Sequence, residues 1–266
     1  MIVDRLHALL GKPAPELYTG LVALLPAVQE VAIAEYTPPP PIQQRASLSE
    51  QEKRLVVAAA EARVNLWFSY LEIVLEMSAK ADHPVEGILN SIDYHQEHTS
   101  GRTWLSREDV LSGQLIQTCA SASQAEPLAF FSKVKADSHG GKNVPLLDLR
   151  IEKSPQSLSM VASIARHLLG TPFAILETAR SYHLVGFTLM TENEANRFLA
   201  RAILFSPITD HAYIAHQLLE GESALRLSGR GEMGDVPMVI AVGCKESLTT
   251  ACTATWVRRA APPPRV

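Results

Sequence analysis

His183 stands in the short apolar run "SYHLVGF", and Asp148 stands in the alternating run "VPLLDLRIE". Each segment patterns as a strand. In the second, Leu147, Leu149 and Ile151 fall on one face and Asp148, Arg150 and Glu152 on the other. If the strands are neighbours and the polar side chains share a face, a carboxylate and an imidazole meet. A carboxylate offers the hard oxygens that Mg2+ or Mn2+ prefers. An imidazole donates to a phosphate or binds a metal itself. Two metals near a phosphoryl centre orient and neutralise an in-line displacement. The plainer alternative is structural: a histidine in a strand is commonly a packed residue, and Asp148 could pair with an arginine or lysine nearby.

Other polar groups carry less. "HGGKN" lacks the spacing of a phosphate-binding loop and reads as a hairpin turn. His211 and His216 are spaced wrongly for one helical face. His95 and His98 have no cysteine near them. Cys119, Cys244 and Cys252 form no Cys-x-x-Cys pair, which argues against zinc or a disulfide framework and for a reducing, cytoplasmic setting. The net charge of −4 argues against wrapping around duplex nucleic acid. Any such contact must come from a local patch, for which Lys133, Lys135 and Lys142, or Arg258, Arg259 and Arg265, are the candidates. No membrane contact is expected. The most apolar run, "VNLWFSYLEIVLEM", is broken by Ser69 and Glu72, and Asp4 sits where an export signal carries positive charge.

The elements that must position Asp148 and His183 are legible around them. "YTPPPPIQQRAS" is an extended, stiff linker, 37–46 at its core. An Ala/Leu-rich helical region precedes it. Ser49 and Glu52 form a capping box that starts a helix running to about Ala79, with Trp67, Phe68 and Tyr70 on a core or partner face. A further helix follows Ser106. "EPLAFFSKVKAD" reads as a strand. "SPQSLSMVASIARHLLG" has Ser at N-cap, Pro at N1 and a closing Gly170. "FAILET" and "SYHLVGFTLM" form a hairpin, and Thr191 with Glu194 caps the next helix. "ESALRLS" and "VPMVIAVG" are strands. The fold class is α+β: a helical N-terminal region, 1–124, precedes an α+β domain, 125–250, and a basic, Pro-rich tail, 251–266. From Val144 to Ser228 the order is βαββαβ, the ferredoxin-like or RNA-recognition-motif plan, with helices on one face and an open sheet on the other. Its first and third strands are neighbours, which places His183 beside Asp148.

The order of "LLDLRIE", "SYHLVG" and "ITDHAYIAHQLLEGESALRLSGR" resembles the archaeo-eukaryotic primase superfamily, the fold of primase small subunits and primase-polymerases. The resemblance spans about Leu128 to Gly243. It implies a nucleotidyltransferase that binds a nucleotide and DNA or RNA on the open face. Asp148, His183 and Asp210 would be catalytic. Asp148 and Asp210 would hold Mg2+ or Mn2+, and Ser181, His183, Arg226 and Arg230 would contact the nucleotide or its phosphates. One position departs from the pattern. Arg150 stands where the family has a second carboxylate, and a guanidinium binds no metal. Either Glu152, roughly 7 Å further along the same face, supplies the missing ligand, or the metal site is degenerate and Arg150 holds phosphate directly. The degenerate case describes a non-catalytic binding or scaffold subunit, docked on a protein partner through the N-terminal helices.

Overall fold

The computed structural model describes residues 2–35, 50, 54, 101–122, 127–137, 141–229, 236–244 and 247–250. The chain divides into two units, one of Met1–Tyr36 with Ser100–Val266 and one of Thr37–Thr99. The linker, the helix from Ser49, the Trp67 face, Arg230 and the basic tail lie outside the described residues.

Two antiparallel sheets build the first unit. One joins β1 (Val28–Glu35), β2 (Thr103–Ser106), β3 (Leu128–Ala136) and β4 (Lys142–Asn143) in the order β2-β1-β3-β4. The second contains β5 (Leu146–Asp148), β6 (Phe173–Glu177) and β7 (Tyr182–Gly186). Helices α1 (Ile2–His7) and α2 (Ala14–Leu24) precede β1, and α3 (Arg107–Leu111) and α4 (Gln114–Ser121) follow β2. After β5 comes α5 (Pro155–Leu169), and after β7 come α6 (Glu192–Ile203) and α7 (His211–Glu220). Then β8 (Ala224–Arg226) pairs with β3, while β9 (Met238–Gly243) and β10 (Leu248–Thr250) complete the second sheet, ordered β10-β9-β6-β7-β5. No helix among the described residues is long and apolar enough to cross a membrane.

The local signals set the helices where the sequence predicts them. Ser154 caps α5 by accepting from Ser157 N–H, and Gly170 ends it at φ 63°, a left-handed turn that costs glycine nothing. Leu158, Val161, Ala162, Ala165 and Leu168 make its buried stripe. Thr191 with Glu194, and Ser106 with Asp109, close capping boxes at α6 and α3.

Three expectations are corrected. The region before the prolines holds two helices and a strand: "VQEVAIAE" forms β1, which pairs with β3. β8 leaves the expected six-element sheet and joins the other one, Arg226 opposite Ala129. The face of the second sheet that bears Asp148 and His183 is not open along its length. Leu146, Ala174, Leu176, Val185 and Val242 on that face share a buried cluster with Val31, Phe130 and Leu225 of the first sheet and with Leu17 and Leu21 of α2. The opposite face packs on α5 and α6 through Leu147, Phe173, Ile175 and Leu184, as helices on one face require.

Phe130, fully buried and stacked on Tyr18 at 4.0 Å, stands at the centre of the shared cluster. Phe130→Ala is expected to cost about 3–5 kcal/mol in urea unfolding. Met160→Ala, on the exposed side of α5, should cost less than about 0.5 kcal/mol. Equal losses would show that this cluster does not hold the sheets together.

Candidate active site

Backbone pairing brings the site together. β5 and β7 run antiparallel with Asp148 directly opposite His183, so both side chains project from the same face. The pairing to β7 runs one residue further, with Leu149 N–H donating to the Tyr182 carbonyl at 3.0 Å. Along its other edge the chain here pairs with the segment that leads into α7. Leu149 bridges Thr209, Arg150 N–H donates to the Ile208 carbonyl at 2.7 Å, and Asp210 N–H reaches the Asp148 carbonyl at 3.3 Å. Asp210 is thereby laid beside Asp148. Thr209 anchors this segment: it is fully buried, and its hydroxyl donates to the Ala202 carbonyl at 2.6 Å.

The geometry is tight. His183 Nε2 lies 3.6 Å from Asp148 Oδ1, with the histidine side chain 10% exposed and the aspartate 37%. That separation is beyond a hydrogen bond. Asp148 Oδ1 accepts from Leu149 N–H at 3.0 Å. Asp210 caps α7, its Oδ1 accepting from Ala212 and Tyr213 N–H at 3.0 and 3.2 Å. A cap role and a site role therefore coincide in one residue. Arg226, at the end of β8, donates to the Ser228 carbonyl at 2.8 Å.

Burial, and next the negative charge of Asp210, push the Asp148 carboxyl up to about 7, against the pull of Leu149 N–H and Arg226. The Asp148 side chain is partly exposed, and its Oδ1 lies against Leu149 N–H and the enclosed His183 ring. Burial, and next Arg226, push His183 down to about 3. At neutral pH the imidazole is neutral, so its approach to Asp148 is not an ion pair. A neutral ring keeps one N–H to donate.

The remaining expected residues fall elsewhere. Ser181 is buried and its hydroxyl accepts from Ile151 N–H at 3.0 Å, so it ties the exit of β5 to the start of β7. Arg150 and Glu152 are exposed. Among the described residues no group of three or more His, Cys, Asp or Glu side chains is placed to hold a metal, so Asp148, Asp210 and Glu152 do not form a three-carboxylate cage. Asp148 and Asp210 alone still suit Mg2+, which is commonly held by one or two carboxylates together with substrate phosphates. The repulsion that raises Asp148 is what a cation between them would relieve. Sequence reasoning missed Lys153, which donates to Glu177 Oε1 at 2.8 Å and the Thr178 carbonyl at 3.1 Å. It also missed Thr209. Neither has a local signal, because each acts through a partner distant in the chain.

The ionisation of Asp148 has a measurable consequence. Its folded value lies above the ordinary 3.8, so between roughly pH 4 and 7 the native state binds more protons than the unfolded one. This group's contribution to stability is full below that window and is lost as pH rises through it. Asp148→Asn removes the dependence. Its effect on stability should be more favourable at pH 8 than at pH 5 in urea unfolding, and a pH-independent difference would contradict the assignment.

A family model described as archaeo-eukaryotic primase 1D-like matches residues 107–233. The matched segment takes in Asp148, His183, Asp210, Arg226 and Arg230. No curated protein and no solved structure matches the chain. Over residues 107–233, somewhat less than half of its length, the chain is similar to the archaeo-eukaryotic primase-like family.

Proposed function

We propose that this chain is a nucleotidyltransferase of the primase-polymerase kind, binding a nucleoside triphosphate and a DNA or RNA end where Asp148, His183, Asp210 and Arg226 converge. The observation that supports it is that convergence itself. Four residues from four separate elements meet at one partly exposed corner of a buried face, two of them like-charged. Such an arrangement costs stability and is characteristic of a site.

Each side chain has a role that its surroundings allow. The neutral imidazole of His183 donates to a phosphate oxygen without bringing charge of its own. Arg226 supplies a fixed positive charge for the triphosphate. Asp148 and Asp210 would hold Mg2+ or Mn2+ with the phosphates, and that ion would supply charge neutralisation and orientation. The hydroxyl of the nucleic-acid end forms the new bond to the α-phosphorus, and pyrophosphate leaves. The protein contributes positioning and preorganised charge, with no covalent intermediate. Ser181 contributes indirectly, by fixing the β5 exit against β7.

Labelled primer-template extension with Mg2+ or Mn2+ tests this reading. Wild type should extend, and Asp148→Ala and His183→Ala should each lose about 100-fold or more. If wild type and His183→Ala are equally inert while nucleotide still binds, the catalytic reading is wrong.

Arg150 favours a second reading. It is exposed and stands where the family pattern has a carboxylate. A non-catalytic subunit would bind nucleotide or nucleic acid without metal and lose affinity in Arg150→Ala. A partner docked through the N-terminal helices belongs to this reading. Calorimetric titration with and without Mg2+ separates the two, since strict metal dependence excludes the binding-only role.

A further inference from the structure

Two of the site residues, Asp210 and Arg226, lie at opposite ends of one stretch of chain, α7 followed by β8. Gly221, at φ 72°, ends α7 in a left-handed turn and sends the chain into β8. Among the described residues β8 has a strand, β3, on one edge only. Ser132 N–H donates to the Ser223 carbonyl at 2.7 Å, and Leu227 N–H to the Leu128 carbonyl at 2.7 Å. Alternation turns both backbone groups of Ala224 to the other edge, and there side chains of α7 take the place of a strand. Ala224 N–H donates to Gln217 Oε1 at 2.7 Å, and the Tyr213 hydroxyl donates to the Ala224 carbonyl at 3.1 Å. Tyr213 and Gln217 are four residues apart and share one face of the helix. Gln217 and Ala224 are both buried, so losing either bond strands a polar group away from water.

Tyr213 thus touches both ends of the stretch. Its backbone N–H donates to Asp210 Oδ1 at 3.2 Å, and its hydroxyl holds β8 two residues before Arg226. Arg226 leaves the strand on the same face as Ala224, and its charge acts on both Asp148 and His183. β8 is only three residues long. Few ladder bonds hold it, and the two bonds from α7 weigh correspondingly in where it lies.

We propose that Tyr213 is a positioning residue: its hydroxyl, with Gln217 beside it, locks β8 to α7 and so sets the reach of the Arg226 guanidinium towards Asp148 and His183. The consequence for binding rests on the reading of that corner as a triphosphate site. The placement of Arg226 does not.

A double-mutant cycle tests it. Tyr213→Phe removes the hydroxyl and keeps both the ring and the backbone N–H that Asp210 uses. Calorimetric titration of the full chain with ATP and Mg2+ should show about tenfold weaker binding in Tyr213→Phe. Made in Arg226→Ala, the same substitution should change binding by less than about twofold, because the residue it acts through is gone. Wild-type affinity in Tyr213→Phe overturns the proposal. So does an equal loss in both backgrounds, the result of a merely structural tyrosine. If wild type binds no ATP, the triphosphate reading fails, and crystal structures of wild type and Tyr213→Phe decide the inference. Displacement of the Arg226 guanidinium from Asp148 and His183 supports it, and an unchanged guanidinium overturns it.

Discussion

The candidate site depends on backbone pairing along both edges of one strand. One edge of β5 pairs with β7, and the other, from Asp148 to Arg150, pairs with the Ile208–Asp210 segment. The first pairing sets Asp148 against His183. The second delivers Asp210. Without the second pairing, Asp210 would be a cap on α7 with no relation to the strands. The buried hydroxyl of Thr209, bonded to the Ala202 carbonyl, secures the segment from α6, so the helix layer under the sheet controls a contact made on its edge. A one-residue slip of β5 against β7 would move Asp148 to the opposite face, where Leu147 and Leu149 now pack. The cost of exchanging those leucines for a carboxylate in the core pins the register, and with it the site.

The electrostatics follow from where this corner lies. Both sheets contribute to the cluster beneath it, so its polar groups are drawn from water. Burial keeps His183 neutral and pushes Asp148 towards protonation. Neither state helps the fold: a buried polar group is tolerated when paired, and here the charges acting on Asp148 include a like one. On the proposed reading, the arrangement is preorganisation for an anionic ligand and its counter-ion, with stability given up locally for function.

The helices are legible in the sequence because caps are local. Ser154, Pro155 and Gly170 bound α5 within the sequence that forms it, and Thr191 with Glu194 does the same for α6. The cross-strand partnership of Asp148 and His183 is legible from alternation and from the order of elements. Sheet membership is not. "ALR" reads as a strand wherever it pairs, and its place beside β3 rests on pairings such as Arg226 opposite Ala129, contacts no periodicity reports. β1 escapes for a related reason: its consecutive buried residues, Val31 to Ala34, show no alternation, and a fully covered strand cannot be told from a buried helix by pattern alone. The alternation that carries on to Arg150 and Glu152 runs past the end of β5 at Asp148, and both side chains are exposed. Glu222 opens the run "ESALRLS", which reads as a strand, and only the fold buries its carboxylate.

The most direct measurement is a crystal structure with a non-hydrolysable nucleoside triphosphate and Mn2+. The predicted result is triphosphate oxygens within hydrogen-bonding distance of the His183 ring and the Arg226 guanidinium, with manganese against Asp148 and Asp210. A triphosphate bound elsewhere on the chain, with His183 still enclosed and Asp148 untouched, would contradict it.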